Sequence, residues 1–155
     1  MPNIVVGQLV PNFTASATSE TTLSLSELQG KNLIIYFYPK DNTPGCTTEG
    51  QNFRDLYNEF KDTNTEIIGV SRDSMRTHEN YKAKHSFPFE LISDPDEALC
   101  NHFDVIKLKK LYGKEYMGIE RSTFLIDSEG ILRQEWRKVK VKGHVDEVLI
   151  AAKSI

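Results

Sequence analysis

The stretch NLIIYFYPKDNTPGCTTEG, residues 32–50, sets the fold and poses the question of what its cysteine does. Its first seven residues form a continuous apolar and aromatic run of strand length, the pattern of a central strand buried on both faces. Turn-forming residues follow, Asp41-Asn42-Thr43-Pro44. Cys46 then stands after Pro-Gly, where loop becomes helix, in a chain with one other cysteine, Cys100. The ordinary fate of a lone cysteine is a buried, inert thiol, but Pro44, Gly45, Thr47 and Thr48 offer Cys46 no apolar packing. The position reads as a rim, past the carboxyl end of the strand and inside the first turn of the next helix. There, unpaired backbone N–H groups and the positive end of the helix dipole favour a thiolate.

Working outward, two short strand-like pieces at 13–17 and 22–25 flank TSET and read as an N-terminal β-hairpin. A single helical turn at SELQGK ends at Gly30. Downstream, a helix from Thr47 to Lys61 carries the stripe Phe53, Leu56, Tyr57 and Phe60. EIIGV (66–70) is a second buried strand, and a polar helix over SMRTHENYKAKH starts behind Asp73 or Ser74 as cap. FPFELIS is a strand. The next helix is expected to take Asp94 as N-cap, Pro95 at its first position and Glu97 at its third. LKKLYGKEYMG reads as a basic surface loop. ERSTFLID and ILRQEWRKV are strands joined by a turn, and Val145, Val148, Leu149 and Ala152 give the last helix its stripe. Helical crossovers require parallel strands and the short turn requires an antiparallel pair, so the fold is an α/β sandwich with a central mixed sheet flanked by helices. Its site is expected at strand carboxyl ends.

A chain of 155 residues reads as one domain spanning 1–155. A net charge of -3 argues against a nucleic-acid binder, which would present a basic face. No apolar run approaches the ~20 residues that span a bilayer. The N-terminus has no positive segment or long apolar stretch of a signal peptide, so the expected location is cytoplasmic, and the glycosylation sequon at Asn12 is a chance match. Two distant cysteines without a C-x-x-C make no disulfide scaffold and suit a reducing compartment. His78 and His85 can share a helix face, but no carboxylate partner is evident and no metal is expected. The nucleotide-loop and zinc-protease motifs are missing from the sequence.

Pro39, Thr43 and Cys46 form P-x-x-x-T-x-x-C, followed by Glu49. With GVSRDS, FELISDPD and RSTFLID in family order, this resembles the peroxiredoxins, thiol peroxidases on a thioredoxin-like fold, over nearly the whole chain. TPGCTTE is most similar to the bacterioferritin comigratory protein, or peroxiredoxin Q, group. The resemblance implies attack of a Cys46 thiolate on hydrogen peroxide or an organic hydroperoxide, leaving a sulfenic acid. It implies that Thr43 presents a hydroxyl to sulfur and peroxide, that Arg121 stabilises the thiolate and the leaving oxygen, that Pro39 shields the sulfur and that Glu49 orients Arg121 in support. No cofactor beyond the thiol is implied. Taken alone, Arg121 would pass for a surface charge, and Pro39 and Thr43 for turn residues.

A thiol of ordinary pKa is ~3% ionised at pH 7, so full ionisation gains at most ~30-fold. Nucleophilicity falls with pKa at a slope of ~0.45 in thiol–disulfide exchange, and a three-unit shift returns roughly 20-fold. The two nearly cancel, so acidity alone makes no peroxidase, and large acceleration has to come from groups acting on the O–O bond.

The sequence departs from the group in its resolving thiol. Gln51 stands where many members carry a second cysteine, and the helix SMRTHENYKAKH, where others place it, has none. Cys100, beside Leu99 and Phe103, reads first as a packed thiol and second as a resolving one, the latter requiring a Cα separation within about 7 Å or local unfolding. The expectation is a one-cysteine cycle resolved by thioredoxin, or by glutathione with glutaredoxin. The chain lacks the cysteine-bearing C-terminal tail of the dimeric two-cysteine class, and a monomer is expected. A redox sensor or thiol-regulated binding protein on the same fold is the alternative function. The basic stretch Lys107 to Lys114 reads as solvated surface, with steering of an acidic reductase as its other use.

Overall fold

The computed structural model describes residues 4–155. Along the chain it runs β1 (Thr14–Ala17), β2 (Thr21–Ser24), β3 (Asn32–Phe37), α1 (Pro44–Asp55), α2 (Tyr57–Asp62), β4 (Thr65–Ser71), α3 (Met75–His85) and β5 (Glu90–Ser93). There follow α4 (Ala98–His102), β6 (Ile106–Leu111), β7 (Lys114–Ile119), β8 (Ser122–Ile126), β9 (Leu132–Trp136) and α5 (His144–Lys153). Seven strands form one sheet in the order β2-β1-β5-β4-β3-β8-β9. β3, β4 and β5 are parallel, linked by helical crossovers, whereas β8, β9 and the β1–β2 hairpin are antiparallel additions on either side. The sheet is mixed, as the spacing of strands and helices predicts.

All six residues of β3 are buried, because the sheet is covered on both faces. Ile34, Tyr36 and Tyr38 pack with Cys46, Phe53, Phe60, Tyr81, Phe87 and the α5 stripe. Leu33, Ile35 and Phe37 point the other way, into a layer with Phe13, Leu99, Cys100, Phe103 and Ile119. Period-two alternation thus assigns the two cysteines to opposite faces of one strand.

Several expected elements are corrected. The helix behind the loop begins at Pro44, three residues earlier than expected, since a proline at the first helical position loses no intrahelical bond. The single helix read to Lys61 breaks at Leu56 into α1 and α2. Phe53 and Phe60 are fully buried, whereas Leu56 and Tyr57 are only half-buried, and Tyr57 turns its hydroxyl to Glu66 at 2.9 Å. FPFELIS is strand only from Glu90, because Pro88 has no N–H for a ladder. Pro95 and Glu97 are not helical. Glu97 takes a left-handed conformation (φ 64°), and Asp94 caps α4 from upstream, accepting the N–H of Leu99 at 3.0 Å and that of Cys100 at 2.8 Å. The expected basic loop is the β6–β7 hairpin, closed by Tyr112 and Gly113 with φ of 52° and 78°, a two-residue turn of the type whose twist matches antiparallel strands. Ser74, rather than Asp73, caps α3, accepting from Thr77 N.

Candidate active site

The carboxyl end of β3 is the meeting point. The loop 38–43 leaves it, α1 begins there, and β8 arrives antiparallel with Ser122 opposite Phe37. That register delivers Arg121, the residue before β8, to the same end of the sheet. Pro44 starts α1 and Cys46 is its third residue. Thr43 is the N-cap residue in extended conformation (φ -89°, ψ 150°), but its side chain makes no cap bond. Its hydroxyl donates to Lys40 O at 2.9 Å, so the N–H groups of Gly45 and Cys46, which by helical geometry lack intrahelical acceptors, are not claimed by it.

Arg121 joins the parts. Its Nη2 lies 3.3 Å from Cys46 Sγ, and its Nη1 donates to Glu49 Oε1 at 2.7 Å. A Cβ on Gly45 would stand 3.3 Å from the same Nη2, so the glycine gives the guanidinium its approach. Glu49 is fully buried, one helical turn after Cys46, and its Oε2 has no partner among the described residues. Burial pushes its carboxyl up to about 7, with the charge of Arg121 pulling the other way. Burial opposes the charge on Arg121, yet Glu49 and Cys46 hold its guanidinium above the ordinary range. The cost of desolvation therefore falls on the carboxylate, while the cation keeps some exposure to solvent.

Four of the expected residues, Thr43, Cys46, Glu49 and Arg121, stand at this one junction, and half-buried Pro39 opens the loop that leads to it. One expectation is corrected in kind. Cys46 is no rim residue: it is 2% exposed and forms part of the wall of the aromatic layer. The neighbours in sequence are open, but Tyr38, Phe53 and Tyr81 come from elsewhere in the fold. Cys100, fully buried, lies in the opposite layer, where burial and then Asp94 push its thiol far up. The sheet stands between the two thiols, and a bond between them requires part of the fold to open.

Sequence reasoning missed two groups. Lys109, on β6, is half-buried where the hairpin folds back. Burial first, and Arg121 second, lower its pKa, while Cys46 raises it, so Lys109 is a further cation that feels the charges of the site. His78, expected to lack a carboxylate partner, has one: Asp41 Oδ2 lies 2.6 Å from its Nδ1, both side chains being fully buried. Nothing in the helical pattern of α3 singles out His78, and Asp41 passes in the sequence for turn material.

The AhpC/TSA family model matches residues 6–135. Peroxiredoxin Bcp of Bacillus subtilis is 53% identical over 152 residues, covering 98% of this chain and 97% of its own. Peroxiredoxin Bcp of Xanthomonas campestris is 56% identical over 139 residues, 90% and 87% of the two chains. Among solved structures, Xanthomonas campestris Peroxiredoxin Q superposes with a TM-score of 0.88 at 55% identity, covering 92% of this chain and 90% of the other. A trapped intermediate/ligand complex of the Xanthomonas campestris Bacterioferritin Comigratory Protein, described for its alkyl peroxide reduction activity, superposes equally well, at 0.88 and 54% identity over the same shares. Peroxidoxin BcpB from Mycobacterium tuberculosis, at 29% identity, superposes with 0.86 over 99% of both chains.

Proposed function

Because the chain belongs to the AhpC/TSA family and stands among its Bcp peroxiredoxins, we propose that it reduces hydrogen peroxide and small organic hydroperoxides with Cys46 as the nucleophile. The observation that carries this reading is the approach of Arg121 Nη2 to Cys46 Sγ at 3.3 Å, by a guanidinium that Glu49 grips at 2.7 Å. The thiolate sulfur gives an electron pair to the nearer peroxide oxygen. The S–O bond forms as the O–O bond breaks, and the far oxygen leaves, after taking a proton, as water or an alcohol. Cys46 is left as a sulfenic acid. Arg121 holds the thiolate in line and stabilises the charge that grows on the leaving oxygen, where fixed cations and N–H groups act at full strength. Thr43 keeps hydroxyl lone pairs for a peroxide proton, Pro39 screens the sulfur, and Glu49 fixes the guanidinium. The alkyl peroxide reduction described for the Xanthomonas relative supports organic hydroperoxides as substrates.

The burial of Cys100 in the other layer supports a one-cysteine cycle, in which an external thiol attacks the sulfenic acid. Thioredoxin, or glutathione with glutaredoxin, supplies that thiol. The same reading takes the protein as a cytoplasmic monomer of one domain.

Stopped-flow oxidation of the reduced protein by hydrogen peroxide, followed by dimedone trapping and intact mass, tests the proposal on wild type and Arg121→Ala. Wild type is expected to show a fast phase ending in a trapped sulfenic acid, and Arg121→Ala to lose about 10²–10³ in rate. Alkylation by iodoacetamide, compared at matched thiolate fraction, should fall far less. Wild-type oxidation no faster than that of free cysteine would sink the peroxidase and leave a redox sensor. Equal losses in both reactions would remove Arg121 from peroxide activation.

A further inference from the structure

Three buried titratable side chains lie beneath the loop that carries Pro39 and Thr43, and the reaction above uses none of them. Tyr38 is 1% exposed, Asp41 3% and His78 0%. Tyr38 Oη donates to Asp41 Oδ1 at 2.6 Å, and Asp41 Oδ2 lies 2.6 Å from His78 Nδ1. His78 Nε2 faces Ile92 O at 2.9 Å; a carbonyl only accepts, so this nitrogen carries a hydrogen. The 2.6 Å contact between Nδ1 and Oδ2 is a hydrogen bond, so both partners are satisfied. The backbone is pinned too: Asp41 N–H donates to Asp73 Oδ2 at 2.7 Å, an oxygen that also accepts from Ser71 Oγ at 2.7 Å. Asp41, Asp73 and His78 offer atoms within 4.8 Å of one another, a spacing a metal can use, but both Asp41 oxygens and both His78 nitrogens already have partners.

What this cluster holds is a tight turn. Asn42, the next residue, has φ 64°, in the left-handed region that asparagine enters more readily than most L-residues. We propose that the Asp41–His78 pair is the positioning unit of the active-site loop. His78 reaches across from α3, clamps the Asp41 carboxylate, and so fixes the turn at Asn42 that delivers Thr43 to the start of α1 beside Cys46. Neither side chain is bonded to the sulfur; both act through the loop. The inference rests on the peroxidase reading of Cys46.

The test compares two reactions of one thiol in Asp41→Asn and His78→Gln. Peroxide oxidation needs the loop, whereas alkylation by iodoacetamide needs only the thiolate. At matched thiolate fraction, the peroxide rate is expected to fall by as much as about 100-fold while alkylation stays within about twofold, since small misplacements at a reacting centre are costly. Proton NMR supplies a reading independent of peroxide: wild type should show a far-downfield, slowly exchanging Nδ1–H resonance that both variants lose. Should His78→Gln fail to fold, the nearly isosteric Asp41→Asn decides the comparison. Folded variants that keep the wild-type peroxide rate, or that lose both reactions equally, would overturn the inference. Failure of the peroxidase reading is seen elsewhere, in slow oxidation of wild type itself.

Discussion

At Glu49, burial and pairing pull in opposite directions. Oε1 is held by Arg121, Oε2 has no partner among the described residues, and burial wins, raising the carboxyl to about 7 from 4.5. A raised carboxyl pKa means that the folded protein binds more protons than the unfolded chain between those values, so stability falls as pH rises through that window. A shift of this size is on the order of 3 kcal/mol once the window is passed. Glu49→Gln keeps the shape and an acceptor for Arg121 but cannot ionise. The variant is therefore expected to gain on wild type by up to about 3 kcal/mol from about pH 5 to about pH 8 in urea unfolding. Parallel pH curves would mean that Glu49 does not titrate in the fold. Cys46 was legible in the sequence from its place where loop becomes helix. Thr43 and Glu49 nearby, and Arg121, 75 positions beyond Cys46, were legible only through the family pattern. Asp41 and His78 were not, because a pairing 37 residues apart leaves no local signature.

α1 sits against its layer through a glycine with no room beside it. A Cβ on Gly50 would meet Phe87 Cζ at 2.6 Å, and Phe87 is 3% exposed and stacked on Phe89 at 5.2 Å. Its φ is not positive, so the constraint is space alone. Alanine would gain about 1 kcal/mol of helix propensity, while overpacking a filled core costs about 1–3 kcal/mol. Gly50→Ala is expected to lose about 1 kcal/mol net in urea unfolding. It is also expected to slow peroxide oxidation, because α1 carries both Cys46 and Glu49. An unchanged midpoint would show that Phe87 yields freely. β3 and β4 were readable as buried strands because all of their residues except Glu66 are buried. β6 and β7 were not: β6 (IKLKKL) sets lysines among its apolar residues, β7 (KEYMGI) has no regular alternation, most of their residues are exposed, and the turn signal is the single pair Tyr112-Gly113.

The whole molecule keeps its two thiols on opposite sides of a seven-stranded sheet. Cys100→Ser tests the consequence. Asp94, which bears on the Cys100 thiol, offers the new hydroxyl an acceptor, so the fold should be kept. Wild type and variant are expected to give the same dimedone adduct after one equivalent of peroxide, as read by intact mass. If wild type instead loses two hydrogens and escapes dimedone while Cys100→Ser is trapped, the sheet opens far enough for Cys100 to resolve Cys46.

The order of buried strands and the spacing P-x-x-x-T-x-x-C are local, and the sequence displays them by itself: they carry the mixed α/β class, the family and the cysteine proposed as the nucleophile. Hydrophobic period and turn chemistry act over a few residues, and the chain displays them directly. The tertiary structure alone decided that Cys46 is buried, that Cys100 faces the other layer, that Glu49 carries the cost of desolvation, and that His78 clamps Asp41. Each of those depends on which distant atoms share a low-dielectric interior, and burial is set by the packed whole.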